Sequence, residues 1–308
     1  MDKLSRQRIA VLKGGPGSER EVSLASAAGV AKALRSLGAE VFEVDVRDAG
    51  FDLPEAITLA FNVVHGTFGE DGQLQEILEK RGVAYTGEGV EGSRLAFDKI
   101  QTKKKFAAHN IPTAPFEIVS SGGRPAMEIP YVVKAPREGS SVGVYIVKTA
   151  EDVEPALRDV AKYGREFLVE KYITGKELTV GIVGDLALPV IEICPKQGFY
   201  DFKNKYPFLD PQGQGAATHL CPAPLDAEQT RLVQETALRA HRALGLVVYS
   251  RVDVILTDGG QPFVLEINTI PGMTQASLLP EAAAAAGIGY AALCERVIEL
   301  SLARQMCK

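Results

Sequence analysis

The chain has 308 residues, 46% of them hydrophobic and 24% charged, which is enough apolar material for two or three well-buried cores. Its formal net charge of −5 is too mild to draw nucleic acid or an anionic membrane as a bulk partner, and no apolar run reaches the ~18 residues of a membrane-crossing helix. Cys194, Cys221, Cys294 and Cys307 lack CxxC spacing, and the N-terminus has no signal-peptide pattern, so a reduced cytoplasmic enzyme or binding protein is expected.

Residues 9–12 read as a short buried strand, followed by Lys13-Gly14-Gly15-Pro16-Gly17-Ser18 and a helix over about 19–37 that ends at Gly38. The glycines do not match the dinucleotide fingerprint G-x-G-x-x-G. Strands at 41–46 and 59–64 come next, the latter running into His65-Gly66-Thr67-Phe68-Gly69-Glu70-Asp71-Gly72, and Leu74, Ile77 and Leu78 mark a short amphipathic helix. Alternating strands and helices predict a parallel, Rossmann-like sheet, with 14–21 and 65–72 on one rim. Ser18 and Glu21 have capping-box spacing, which accounts for the pair without any chemistry. His65 reads as a rim residue, either functional or a satisfied loop histidine.

A basic helix opens at Asp98-Lys99 and ends near Asn110. Strands at 116–119, 131–134, 145–147 and 166–171, with a helix over 150–163, indicate a small α+β unit. The loop 138–144 places two glycines and two serines between strands, suited to a phosphate lid, or else an ordinary hairpin loop. Lys134 points into the same space or is a snorkelling end charge. A third block starts near Thr179, with paired strands, a polar loop over 197–215, and a helix over 227–244 between Asp226 and Gly245. In that loop, Lys203-Asn204-Lys205-Tyr206 has the composition of a solvated charge run. Terminal helices include the alanine run 282–286, read as scaffold.

Two β-type runs, 252–256 and 262–268, flank Asp258-Gly259-Gly260-Gln261. A two-residue hairpin turn on the glycine pair puts Asp253 opposite Glu266 and Arg251 opposite Asn268 on one face. Facing carboxylates destabilise a sheet unless neutralised. Either a hard divalent cation such as Mg²⁺ sits there, or the face is exposed and nearby lysines serve.

Eight stretches in order carry a resemblance: G-G-x-x-S-E-R-E-V-S (14–23), H-G-x-x-G-E-D-G (65–72), Asp98-Lys99, R-E-G-S-S-V-G (137–143), V-E-K (169–171), F-Y-D-x-x-x-K-Y (199–206), R-x-D (251–253) and E-x-N-T-x-P-G-M-T (266–274). Over nearly the whole chain the sequence resembles the D-alanine–D-alanine ligase family of ATP-grasp enzymes. The resemblance implies three domains: an N-terminal α/β domain (1–97), a central ATP-grasp domain (98–178) and a C-terminal ATP-grasp catalytic domain (179–308), the last two α+β. It implies an ATP-dependent ligation of two D-alanines through an acyl phosphate for peptidoglycan synthesis, in the cytoplasm and as a homodimer. Two Mg²⁺ ions, with Mn²⁺ as a substitute, would be held by Asp253, Glu266 and Asn268. Lys99, Lys134 and Lys205 match phosphate lysines, and Ser140, Ser141 and Val142 the covering loop. Glu170, Lys171 and Ile173 match adenine contacts, with Phe199 on the ring and Glu177 at the ribose. Glu21, hydrogen-bonded through Ser140 to Tyr206, matches the group holding the first D-alanine, and His65 the residue beside its carboxylate. Arg251 and the Gly272 amide match the oxyanion site; Ser277 and Leu278 match the pocket for the second carboxylate. Related readings are a D-Ala–D-Lac ligase, where the family places a residue other than Tyr206 in that loop, a D-Ala–D-Ser ligase, and a non-catalytic nucleotide-binding module, which would have no use for Arg251. The chain departs from the family at Lys134-Ala135-Pro136, where Lys-Pro is usual, in a short 120–129 segment, and in the loop after Tyr206.

Overall fold

The computed structural model describes residues 4–194 and 217–306. The chain opens with β1 (Arg8–Gly14), α1 (Arg20–Ser36), β2 (Glu40–Val46) and β3 (Leu59–Asn62), the strands forming a parallel sheet in the order β2-β1-β3. Ile9, Ala10, Val11 and Leu12 are fully buried. A continuous apolar run of this kind is what a central parallel strand, covered on both faces, requires. α2 (Gln73–Lys80) follows as expected, and then α3 (Val90–Phe97), which the sequence did not announce: it buries only Ser93 and Ala96, too few to set a helical period.

Asp98 caps α4 (Lys99–Ala108) by accepting the Gln101 N–H at 3.1 Å. β4 (Phe116–Ser120), β5 (Tyr131–Lys134), β6 (Val144–Val147) and β7 (Glu166–Lys171) form an antiparallel sheet in the order β4-β7-β5-β6, backed by α5 (Ala150–Val160). The third sheet holds β8 (Lys176–Val183), β9 (Leu186–Ala187), β10 (Ile191–Cys194), β11 (Thr218–Leu220), β12 (Tyr249–Leu256) and β13 (Pro262–Asn268). Its order is β11-β10-β8-β12-β13, with β9 on β8, and all these pairings are antiparallel. α6 (Ala227–Ala243) covers it, capped reciprocally by Asp226 and Gln229.

The last two helices, α7 (Leu278–Ala285) and α8 (Tyr290–Met306), do more than cover the third sheet. α8 packs on α1, and one apolar core joins Ile9 and Val11, Val30 and Leu34 of α1, and Leu279 and Val297. The C-terminus thus returns to the first sheet and clamps the loop between β13 and α7 beside α1. There the Tyr290 hydroxyl donates to the Met273 carbonyl. Gly29 is required at that crossing, since a Cβ would stand 2.8 Å from the Tyr290 hydroxyl oxygen. Among the described residues no helix is long and apolar enough to cross a membrane.

Candidate active site

The β12–β13 hairpin pairs Arg251 with Asn268 and Asp253 with Glu266, as the sequence predicts, but not by the predicted route. The connection is a three-residue loop: Gly260 N donates to Thr257 O at 2.8 Å and Thr257 N to Gln261 O at 3.0 Å. Of the two glycines only Gly260 has positive φ, +76°. The register then shifts between Asp253 and Val254, where Leu265 is the extra residue of a β-bulge. Each difference alone would turn Glu266 toward the core beside Val252 or Val254; together they return it to the face of Arg251 and Asp253. Leu265 and Glu266 are accordingly both half-buried between the buried Val264 and Ile267.

On that face the Arg251 guanidinium grips Asp253 through two hydrogen bonds, Nε to Oδ1 at 3.0 Å and Nη2 to Oδ2 at 2.9 Å. Thr179 of β8 donates to the same Oδ1 at 2.7 Å, so the carboxylate is fixed from two strands. Asn268 Oδ1 accepts the Ile270 N–H at 2.8 Å, which orients the carboxamide. No group of three or more His, Cys, Asp and Glu side chains gathers as a metal site among the described residues. The oxygen set is instead two carboxylates and one carboxamide, hard donors suited to Mg²⁺.

Two recesses meet at this hairpin. A cavity of about 700 Å³ is walled by Ala114, Val132, Val144, Ile146 and the 170–177 turn, with Asp253 and Glu266 at one end. A smaller polar recess of about 50 Å³ holds Glu19, Glu70, Ser140, Arg251 and Asn268. Lys99, Glu138, Leu265 and Glu266 line both. Lys99 Nζ donates to the Glu138 carbonyl at 2.7 Å and stands 3.5 Å from Glu266. The structure therefore brings Lys99, Lys134, Ser141, Glu170, Lys171, Ile173 and Glu177 to the large cavity.

Lys134 and Glu170 are directly paired, and a residue that sequence reasoning missed completes the group: Lys103 of α4. Its ammonium is 1% exposed and contacts Glu170, the Thr113 hydroxyl and, at 3.2 Å, the Val264 carbonyl. Burial pushes the Glu170 carboxyl up, but the two lysines outweigh it and hold the pKa below the usual range. Burial likewise opposes charge on Lys134, yet Glu170 keeps it raised, whereas for Lys103 burial wins. Nothing in the run of lysines 103–105 marks Lys103 as different; only its inward-facing position on α4, with Ile100 and Phe106, does.

The small recess corrects the assignment of Glu21. α1 begins at Arg20 without a side-chain cap, so the Ser18–Glu21 capping box does not form, and Glu21 is exposed. Glu19 is the residue hydrogen-bonded by the Ser140 hydroxyl. It is 9% exposed and lies between two glycines: a Cβ on Gly66 would stand 2.6 Å, and one on Gly139 2.9 Å, from its Oε2. Helical period shows the signal that was available, since Glu19 lies three, four and seven residues before the buried Val22, Ser23 and Ser26, while Glu21 falls off that face. Ser140 and Ser141 both adopt positive φ, +50° and +63°, a strained turn of the kind kept at ligand clamps.

His65 is 3% exposed, buried where a rim position was expected. Its Nδ1 lies 2.9 Å from the Ile270 carbonyl and 3.7 Å from Glu70, and its Nε2 lies 3.3 Å from the Ser26 hydroxyl. Burial favours the neutral ring, but Glu70 and Glu19 outweigh it and hold the histidine above its usual pKa. Ser26 also accepts the Met273 N–H at 3.1 Å, tying α1 to the loop that carries Gly272. In that loop Ser277 Oγ accepts the Thr274 N–H at 3.0 Å and would stand 2.8 Å from a Cβ on Gly272; Leu278 is buried behind it. Phe199, Lys205 and Tyr206 lie outside the described residues.

Comparison with known proteins gives a consistent result. The family model of the D-ala D-ala ligase C-terminus matches residues 106–299. The D-alanine–D-alanine ligase of Methylacidiphilum infernorum is 49% identical over 298 residues, covering 97% of this chain and 96% of that one. That of Geotalea uraniireducens is 45% identical over 305 residues, with 97% and 96% covered. Among solved structures, the D-alanine–D-alanine ligase of Bacillus anthracis complexed with ATP superposes with a TM-score of 0.82 at 32% identity, covering 97% of this chain and 99% of that one. The VanG D-Ala:D-Ser ligase of Enterococcus faecalis superposes with a TM-score of 0.82 at 25% identity, covering 96% and 99%.

Proposed function

The chain belongs to the D-alanine–D-alanine ligase family, and on that premise we propose that it joins two D-alanine molecules at the expense of ATP, through a D-alanyl phosphate. The observation that carries this reading is the hairpin at the junction of two recesses. The large cavity has the apolar walls and end charges that suit an adenine nucleotide, and the small one suits an amino acid. ATP would lie with its adenine against the 170–177 turn and its phosphates toward Lys134, Lys99 and the 140–142 loop. Asp253, Glu266 and Asn268 would hold Mg²⁺, which neutralises phosphate charge during transfer.

A carboxylate is a poor electrophile, and phosphorylation supplies it with a leaving group. The first D-alanine would sit in the small recess with its ammonium toward Glu19, the place first expected of Glu21, and with His65 near its carboxylate. The amine of the second D-alanine, its own carboxylate at Ser277 and Leu278, attacks the acyl carbon and expels phosphate. Arg251 and the Gly272 N–H would stabilise the oxyanion. Arg251 is already fixed in orientation by Asp253, and preorganised donors of this kind supply about 3–4 kcal/mol each. Three domains near 1–97, 98–178 and 179–308, the homodimer and the cytoplasmic site of action complete the proposal. The three sheets, drawn from residues 8–62, 116–171 and 176–268, support the division.

The test is purified protein with ATP, Mg²⁺ and D-alanine, following ADP release and product mass. ADP release that depends on D-alanine, with a dipeptide product, is the expected outcome; release indifferent to D-alanine overturns the reading. D-Serine and D-lactate in competition distinguish the relatives that use a different second substrate.

A further inference from the structure

Glu88 belongs to neither recess, yet its side chain is 2% exposed and fully engaged. Its Oε1 accepts the N–H of Val248 at 2.7 Å, of Val247 at 3.0 Å and of Tyr249 at 3.3 Å, and Oε2 accepts the Val247 N–H at 3.2 Å. These consecutive amides lead into β12, and Arg251 and Asp253 follow Tyr249 at the next two positions on the pocket face. A carboxylate, with two oxygens and about four lone-pair directions, is the side chain able to collect converging N–H donors in this way.

Glu88 is itself held in place. Gly87 N donates to the Ser301 hydroxyl at 3.0 Å, Gln305 Nε2 donates to the Tyr85 carbonyl at 3.1 Å, and the Arg304 guanidinium lies 4.5 Å over the Tyr85 ring. The 85–88 segment is therefore pinned to α8 by three contacts, and Glu88 passes that fixed position on to β12. On the other side Gly184 N donates to the Val248 carbonyl at 2.7 Å, so the strand start is held from both edges.

We propose that Glu88 is a positioning residue for the ligation: it fixes the start of β12 and so sets where Arg251 and Asp253 stand relative to Glu266. This rests on the roles given above to those residues. The nucleotide cavity draws most of its wall from β5, β6, β10 and the turn between β7 and β8, and only Asp253 and Ile255 from β12. Loss of Glu88 should then lower turnover more than it raises KM for ATP, because β12 reaches the nucleotide only at the end of its cavity. A misplacement of about 1 Å far from the chemistry can cost on the order of 10²-fold in rate.

Steady-state kinetics with ATP, Mg²⁺ and D-alanine, beside urea unfolding, for the parent, Glu88→Ala and Glu88→Gln test this. Glu88→Ala is expected to lower kcat by about 10- to 10²-fold, with a smaller rise in KM for ATP, at a temperature where circular dichroism shows it folded. Glu88→Gln keeps one acceptor oxygen and is expected to regain part of that rate. A folded Glu88→Ala that loses stability while keeping the parent's kcat overturns the proposal. Should Glu88→Ala not fold, Glu88→Gln decides: a kcat equal to the parent's overturns it, and a severalfold fall in kcat that exceeds any rise in KM for ATP supports it. A parent without D-alanine-dependent ADP release would overturn the ligase reading instead, so the two failures are distinguishable.

Discussion

At the scale of single residues, burial separates look-alikes that the sequence places side by side. Glu19 and Glu21 are two positions apart in one motif, and only the start of α1 turns one inward to Ser140 and the other to solvent. Lys103 stands beside Lys104 and Lys105, yet it alone is driven into the protein, against Glu170. Removing one partner of a buried ionic group typically costs about 3–5 kcal/mol, because a charge is left without compensation. Lys103→Met is thus expected to lower stability by about that amount. It should also raise KM for ATP, since Glu170 would then draw more strongly on Lys134. Urea unfolding and ATP titration of the rate check both; reduced stability with an unchanged KM would limit Lys103 to holding α4 in place.

At the scale of elements, the β12–β13 hairpin shows how a correct pairing can come from an incorrect turn. A Gly-Gly pair points to a two-residue turn, and counting outward gives the right facing residues. The actual loop is one residue longer and the bulge at Leu265 compensates, because side-chain period two makes every one-residue slip a change of face. The two glycines should therefore respond differently to substitution. Gly260, at φ +76° with open space around it, is expected to lose about 1–2 kcal/mol as Gly260→Ala, purely from the left-handed backbone. Gly259→Ala should stay within about 0.5 kcal/mol of the parent. Thermal or urea unfolding of the pair checks this, and equal losses would favour the two-residue turn. Elements with strong periodic signals, such as β5, β7 and α6, were legible to within a residue or so. α3, with two small buried residues, was not.

At the scale of the whole molecule, the C-terminal helix ties the first sheet to β12, and Glu88 lies where the two meet. Burial pushes the Glu88 carboxyl up to about 7 from 4.5, with the backbone amides of 247–249 opposing the shift. A folded-state pKa above the unfolded value means a contribution to stability that is complete below 4.5 and lost as pH rises through about 7. The full shift corresponds to about 3 kcal/mol. Glu88→Gln, which cannot ionise, should lack this loss. Unfolding free energies measured from pH 4.5 to about pH 8 are then expected to shift in the variant's favour by about 3 kcal/mol relative to the parent. Parallel pH profiles would show that Glu88 does not titrate in that window.

The sequence by itself determined the family and most of the strand and helix order, because period and motif order are local properties that survive without coordinates, whereas the facing of Asp253 with Glu266 also needed the bulge at Leu265. Only the tertiary structure decided that Glu19 rather than Glu21 meets Ser140, that Lys103 joins Lys134 on Glu170, and that Glu88 anchors the start of β12. Each of these is set by partners far away in the chain, 121 residues apart for Glu19 and Ser140 and about 160 for Glu88 and its amides. Which of several similar side chains is withdrawn from water is fixed only when such distant elements pack, and no local pattern records it.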